Sequence, residues 1–287
     1  MGRVLVDKKE VWTDNKDNEL YWSKVLGEGL QMNTVRLRNV EIGAGKPKVI
    51  VPIVGRTVED ILAKGYQIQT AAPDVAEWRV DHFEAADDVE AVLDTLARLR
   101  DALGEIPILV TFRTRKEGGE REISREAYTA LNQAVARSGL VDAVDVEVFF
   151  GEDVARENID NIHAAGVAVV GSSHEFGFTP KKEELIARLC RQQELGCDIL
   201  KIAVMPNSPQ DVLTLLSATE EMCRVHARQP LVTVSMGALG ALSRLCGEVF
   251  GSAMTFGTVG DSSAPGQVPV ERLNAMLEML HQSILMK

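Results

Sequence analysis

One lysine is set where its chemistry would be unusual. Lys201 lies inside Cys197 to Pro206, CDILKIAVMP, an apolar run rich in the β-branched and small residues of a buried strand. An ammonium taken out of water is costly unless it is paired or gives up its proton. An amine without that proton is a nucleophile, so Lys201 is a candidate for imine formation with a carbonyl substrate. The same stretch also fits a lysine at a strand end whose stem is covered and whose head reaches solvent.

Other residues of chemical interest follow similar runs. Only five histidines occur in the chain, so one placed near a candidate lysine carries weight. His174, in Ser172-Ser173-His174-Glu175, stands where a general acid or base would, although a lone histidine in a loop can be incidental. Glu77, Arg79 and Asp81 alternate through EWRVDH, which puts three ionisable groups on one strand face. Such groups must pair or bind something polar, and an ion pair between Arg79 and an acid meets that need by itself. Asp145 and Glu147 share a face in the same way and could balance Lys201 and the arginines. Arg113 ends a run before TRKEGGE, where Gly118-Gly119 lets the backbone approach a ligand or close as a flap. Arg115, Lys116 and Glu120 read as a solvated charged loop. Ser243-Arg244 opens a helical segment, where backbone amides and a guanidinium fork make a carboxylate or phosphate site. A surface arginine on a helix has the same signature. Gly257 to Gln267, GTVGDSSAPGQ, is long enough for a lid with Ser263 and Gln267 as hydrogen-bonding candidates, or is an ordinary connection.

What positions these residues is a theme repeated eight times: a short apolar run, a polar loop, then a segment of helical period. The runs are Lys48 to Val54, Val75 to Val80, Ile106 to Phe112, Ala143 to Val148, Val167 to Ser172, Ile199 to Val204, Leu231 to Ser235 and Ser252 to Phe256. Helical segments follow near Val58 to Gln69, Val89 to Ala102, Ser124 to Arg137, Val154 to Ala165, Lys181 to Leu195, Pro209 to Ala227, Ala241 to Phe250 and Val270 to Leu285. Thr57 with Asp60, Ser124 with Glu126, and Ser208-Pro209 read as helix starts, and Gly104, Gly139, Gly166 and Gly196 as stops. Strands too apolar to face water on either side predict an α/β fold, a closed (β/α)8 TIM barrel with its chemistry at the carboxyl ends of the strands. A doubly wound open sheet is the alternative, but KVIVPIVGRTVED contains neither GxGxxG nor a P-loop pattern. Before the first run, NTVRLRNVEIGAGKP alternates about Arg38-Asn39 and predicts a β-hairpin closing the barrel bottom. Residues 1–31 read as a flexible N-terminal extension, with Trp12, Tyr21 and Trp22 able to dock it; residues 32–287 read as a single catalytic barrel domain.

Bulk properties narrow the function. The 287 residues carry 31 basic and 42 acidic side chains, a net charge of −11, which argues against nucleic acid and anionic membranes as partners. Cys190, Cys197, Cys223 and Cys246 form no CxxC pair and no zinc-type cluster, and read as reduced thiols of a cytoplasmic protein. No signal-peptide-like segment and no apolar stretch of membrane-spanning length is found.

Seven motifs in order, EWRVDHF (Glu77 to Phe83), TFRTRKEGGE (Thr111 to Glu120), SGLVDAVDVEVF (Ser138 to Phe149), SSHEFGFTP (Ser172 to Pro180), KIAVMP (Lys201 to Pro206), SRLCGEVFGSAMTFG (Ser243 to Gly257) and SAPGQ (Ser263 to Gln267), carry a family resemblance. From Met32 to about Ser283 the chain resembles the type I 3-dehydroquinate dehydratases, the Schiff-base-forming dehydroquinases of the shikimate pathway. The resemblance implies a hydro-lyase that converts 3-dehydroquinate to 3-dehydroshikimate and water. It implies that Lys201 forms the imine with the C3 carbonyl, His174 shuttles the proton and Glu117 orients or tunes His174. Arg244 would hold the substrate carboxylate, and Glu77, Arg79, Arg113, Ser263 and Gln267 its hydroxyls. No metal or organic cofactor is implied, because the protonated imine is the electron sink; a homodimer is. The chain departs from the family where members often have Ser-Asn-His-Asp-Phe, at Leu200 where proline is frequent, and at Pro52 where some relatives have serine. Another imine-forming lyase of the aldolase kind would share Lys201 but not Arg244 and the SAPGQ lid. A catalytically silent sensor barrel would have no need of Lys201, His174 and Glu117 together.

Overall fold

Each apolar run becomes a strand and each amphipathic segment a helix packed outside it, in a computed structural model that describes residues 32–260, 266 and 268–285. The expected extension, residues 1–31, lies outside the described residues. The hairpin comprises β1 (Val35–Leu37) and β2 (Val40–Ile42), and Arg38 turns it with φ 51°. The barrel strands are β3 (Lys48–Ile53), β4 (Val75–Arg79), β5 (Ile108–Thr111), β6 (Ala143–Glu147), β7 (Ala168–Glu175), β8 (Ile199–Val204), β9 (Leu231–Ser235) and β10 (Met254–Thr258). They pair in parallel in the order 10-3-4-5-6-7-8-9. A single parallel bridge, Leu231 to Ser252, joins β9 to the start of β10, with the Ala253 amide donating to the Leu231 carbonyl at 2.7 Å. The short β11 (Val268–Pro269) adds to the outer edge of β10.

The helices are α1 (Val58–Ala71), α2 (Val89–Leu103), α3 (Arg125–Arg137), α4 (Glu152–Ala164), α5 (Lys182–Glu194), α6 (Pro209–Glu221), α7 (Gly247–Phe250) and α8 (Val270–Leu285). Their starts follow the expected chemistry. Thr57 and Asp60 form a reciprocal capping box, Ser208 and Asp211 form another ahead of Pro209, and Ser124 Oγ accepts from the Ala127 amide. The four glycines expected as stops all have positive φ.

Two helices depart from expectation. The segment after β9 is a 3-10 stretch, Leu239–Arg244, followed by the short α7. There Ser243 Oγ accepts from the Ser235 amide at 3.0 Å and donates to the Gly240 carbonyl at 2.7 Å, folding the chain back onto the strand end. Helix α6 stops at Glu221 and widens into a π turn, Met222–His226, whose end is held by the Gln193 side chain: Nε2 donates to the His226 carbonyl and Oε1 accepts from the Arg228 N–H.

The core has two layers. Between strands and helices lie Val49, Val51, Trp78, Leu96, Val144 and Ile202, among others. Inside the barrel, Leu37 and Ile42 of the hairpin pack on Ile50, Leu109, Ile199 and Val232, so the bottom is plugged as expected. Asp74, Asp142 and Asp198, each just before a strand, accept from the amides of Val49, Ile108 and Val169 at 2.7 to 2.8 Å. Each staple fixes the stagger of one strand pair and satisfies an amide at a strand start, for about 1 kcal/mol net.

Candidate active site

Parallel pairing brings polar side chains from successive strands to one level. Glu147 pairs with Ser172 across β6 and β7, and Ser172 with Lys201 across β7 and β8. Lys201 is only 4 % exposed, which removes the solvent-reaching alternative. Its Nζ lies 3.1 Å from Asp145 Oδ2, 3.4 Å from Glu77 Oε1, and 5.0 Å above the Phe256 ring centroid. Thr111 Oγ1 donates to Glu77 Oε1 at 2.9 Å, and Ser172 Oγ donates to Asp145 Oδ1 at 2.6 Å.

Arg113 is the second buried cation. Its Nη2 is 2.8 Å from Asp145 Oδ1, and its Nη1 donates to Glu147 Oε1 at 3.0 Å and to Ser172 Oγ at 2.9 Å. Full burial works against its charge, but Asp145, then Glu147 and Glu117, hold the guanidinium above the ordinary arginine range. Burial likewise opposes the charge on Asp145, and Arg113 and then Lys201 keep its carboxyl below the usual range. Lys201 and Arg113 thus face four carboxylates: Glu77, Asp145, Glu147 and Glu117. The excess negative charge falls on Glu117. Burial pushes its carboxyl up to about 8, Arg113 opposing and Glu147 and Asp145 adding.

Glu117 ends a 3-10 turn, Arg115–Glu117, and its Oε2 receives both the His174 amide at 3.1 Å and His174 Nδ1 at 2.9 Å. Strand β7 runs on to Glu175, so His174 lies on a strand and not, as expected, in the loop behind it. There it faces the barrel mouth diagonally from Lys201, since Ser172 is the residue in register with Lys201. Burial, then Arg113, Lys201 and Arg79, drives the imidazole well below its ordinary pKa. With Glu117 Oε2 as the acceptor at Nδ1, the tautomer is fixed with Nε2 bare, which is a base. Phe176 stacks on the ring at a centroid distance of 6.3 Å, and a methyl at Gly118 would fall on the Phe176 ring.

The Arg79 reading changes in detail. Strand β4 ends at Arg79, and Asp81 sits on the 3-10 turn Val80–His82 instead of extending the strand face. From there Asp81 reaches back to make a bidentate pair with Arg79, both contacts at 2.8 Å. The ion-pair reading is therefore met, and the Arg79 side chain keeps 21 % of its surface exposed. Arg244 is 6 % exposed, unlike a surface arginine. Its Nη1 lies 3.5 Å from the Phe256 carbonyl, its Nε has no partner, and among the described residues no carboxylate lies within ion-pair distance. Burial lowers its pKa. Ser263 and Gln267 lie outside the described residues.

Four site residues escaped the sequence reading. Besides Thr111 and Ser172, Thr114 gives Glu147 two hydrogen bonds, from its N at 2.8 Å and its Oγ1 at 2.7 Å. Tyr128, on α3, fills a gap in the sheet. The β5–β6 ladder ends at Val110–Val144, and beyond it the tyrosine hydroxyl accepts from the Glu147 amide at 3.0 Å and donates to the Asp145 carbonyl at 3.4 Å. A tyrosine on the apolar face of the helix beside an acidic strand was the available signal. A surface cleft of about 360 Å³ on the outer side of the Arg115 turn shares only Thr114 with this cluster and lacks its paired acids and bases.

What the cluster can do is hold an amine, a histidine base and an unpaired arginine around one barrel mouth. Residues 49–284 match the family model described as Type I 3-dehydroquinase. A 3-dehydroquinate dehydratase of Clostridioides difficile (strain 630) is 48 % identical over 250 residues, 87 % of this chain and 98 % of the relative. Another from Klebsiella pneumoniae (strain 342) is 50 % identical over 248 residues, 86 % of this chain and 99 % of the relative. Among solved structures, the type I 3-dehydroquinate dehydratase from Clostridium difficile with covalently modified comenic acid superposes with a TM-score of 0.87 at 47 % identity, covering 88 % of this chain and 100 % of that one. The Geobacillus kaustophilus 3-dehydroquinate dehydratase gives a TM-score of 0.85 at 41 % identity, covering 88 % and 98 %.

Proposed function

Because the chain belongs to the type I 3-dehydroquinase family, we propose that it dehydrates 3-dehydroquinate to 3-dehydroshikimate, a lyase step of the shikimate pathway, through an imine on Lys201. The observation that carries the reading is a buried lysine amine held by Asp145 and Glu77, diagonal across β7 and β8 from a histidine whose Nδ1 is fixed by Glu117.

The Lys201 amine adds to the C3 carbonyl and, with loss of water, forms an iminium. That positive nitrogen draws electrons from the C2–H bond, so His174 Nε2 removes the C2 proton and leaves an enamine. The imidazolium so formed donates from Nδ1 to Glu117 Oε2. It returns the proton to the C1 hydroxyl as the C1–O bond breaks and water departs. Hydrolysis of the conjugated iminium frees 3-dehydroshikimate and restores the amine. Acid–base catalysis of this kind contributes about 10²- to 10⁴-fold. The protonated imine is the electron sink, so the route asks for no metal or organic cofactor.

Binding follows from charge. Arg244, a buried guanidinium with no carboxylate beside it among the described residues, suits the substrate carboxylate. Glu77, Arg79 and Arg113 hold the hydroxyls, with Ser263 and Gln267 completing those contacts. Residues 32–287 act as one catalytic domain, in a cytoplasmic homodimer as the family resemblance implies. Among the described residues, no helix is long and apolar enough to cross a membrane. The test is to add 3-dehydroquinate and follow the near-ultraviolet absorbance of the conjugated enone. Product should form with the wild type and be lost in Lys201→Ala; equal rates in both would sink the reading.

A further inference from the structure

Asp81 has no part in the steps above, yet it is fully buried beside them. Its two oxygens are occupied by protein donors. Oδ1 receives Arg79 Nε at 2.8 Å and the Arg113 amide at 3.3 Å; Oδ2 receives Arg79 Nη2 at 2.8 Å and the Glu120 amide at 3.1 Å. His82 Nε2 lies 3.7 Å from Oδ2. Two of the four hydrogen bonds therefore come from the guanidinium assigned to a substrate hydroxyl. The other two come from the backbone at either end of the segment that carries Glu117.

That segment is braced by its own backbone hydrogen bonds. The Arg115 amide donates to the Arg121 carbonyl at 2.8 Å, and the amides of Glu117 and Gly119 both donate to the Thr114 carbonyl, at 3.0 and 2.8 Å. Gly119 is pressed so closely that a methyl there would fall on the Arg113 carbonyl and come within 3.0 Å of Asp81 Oδ2. Shifting the base of this loop must therefore shift Glu117, and with it the oxygen that receives His174 Nδ1.

We propose that Asp81 is a positioning residue for this reaction: it locks the 113–121 loop to Arg79, so one carboxylate sets both the arginine that reads the substrate and the glutamate that orients His174. The inference rests on the imine reading of Lys201 and His174 given above. It assigns Asp81 no contact with the reacting atoms. Its effect is geometric, and displacements of about 1 Å at a catalytic group can cost on the order of 10²-fold in rate.

The experiment compares the full-length wild type with Asp81→Asn and Gly119→Ala. Asparagine keeps the shape but turns an N–H toward donors that need an acceptor. In Asp81→Asn, kcat should fall by about 10²-fold, KM for 3-dehydroquinate should rise, and the ascending limb of the kcat/KM pH profile should move acid-ward as Glu117 leaves His174. Gly119→Ala displaces the loop directly, because its methyl falls on the Arg113 carbonyl, and touches Asp81 Oδ2 only at its edge. It should reproduce the loss of kcat and the shifted limb, with KM raised less than in Asp81→Asn. Borohydride should still trap substrate on Lys201 in both variants. An Asp81→Asn enzyme with a lower melting temperature but wild-type kcat and pH profile would overturn the proposal, leaving Asp81 a purely structural carboxylate. Should that variant not fold, Gly119→Ala decides, and an unchanged kcat and limb in it overturns the proposal. A wild type that traps no substrate on Lys201 overturns the reaction itself, a result distinct from either.

Discussion

Arg244→Met should strengthen the empty protein and cripple the enzyme. In the free chain Arg244 is 6 % exposed, its Nε is unpartnered, and among the described residues its hydrogen bonding is a 3.5 Å contact from Nη1 to the Phe256 carbonyl. A buried donor left unmade costs about 1–3 kcal/mol, and a poorly compensated buried charge adds to that. Methionine preserves most of the length and the packing of the stem. We expect the variant to gain about 1–3 kcal/mol without ligand, which at roughly 2–4 °C per kcal/mol is a readily measured rise in Tm. With substrate the sign reverses. Losing one partner of a desolvated charge pair costs about 2–5 kcal/mol, or roughly 30- to 5,000-fold in kcat/KM. Thermal unfolding with and without product, alongside steady-state kinetics, reads both effects. A variant less stable than wild type in the absence of ligand, with kcat/KM close to wild type, would refute the assignment and make Arg244 structural.

Three further outcomes are expected. His174→Ala should keep imine formation on Lys201 but slow dehydration about 10²- to 10⁴-fold, and near-normal enone production would contradict the role of His174 as base. Glu117, raised to about 8 from an ordinary 4.5, keeps its proton in the folded state over that window. Its contribution to stability is therefore full below 4.5 and lost as pH rises through about 8, by at most about 1.4 kcal/mol per pH unit. Glu117→Gln should flatten urea-measured stability across that window; an unchanged slope would count against the buried proton. The depressed His174 acts in the opposite sense, removing stability as pH falls below its ordinary 6.5, so the flattening should be clearest above that value. Tyr128→Phe leaves the Asp145 carbonyl and the Glu147 amide without their hydroxyl and should cost about 1–3 kcal/mol in urea denaturation, whereas an unmoved midpoint would show that β5 closes the gap.

The barrel was legible because its strands are buried on both sides. Ile199–Val204 and Leu231–Ser235 appear at the bounds their apolar composition dictates. Helix starts were equally local: Thr57 and Ser208 cap through residues three positions on. Reading failed where tertiary contacts override local pattern, as at Ser243, whose side chain bonds the end of β9, and at Asp81, whose turn brings it back onto Arg79. In the site, the alternation of Asp145 and Glu147 foretold the acids facing Lys201 and Arg113. Thr114 and Ser172 did not show themselves, since their carboxylate partners stand 33 and 27 positions away in the chain. No spacing marks out Glu117 as the partner of His174, 57 positions away. That pairing came from the family resemblance, and the geometry now supplies its physical basis.

The central claim is a covalent bond between substrate and Lys201. It is tested most directly by adding borohydride during turnover of 3-dehydroquinate, digesting the protein and weighing the Lys201 peptide. This peptide alone should carry the reduced substrate adduct, and Lys201→Ala should carry none. An unmodified Lys201 peptide during active turnover, or an adduct on a different lysine, would contradict it.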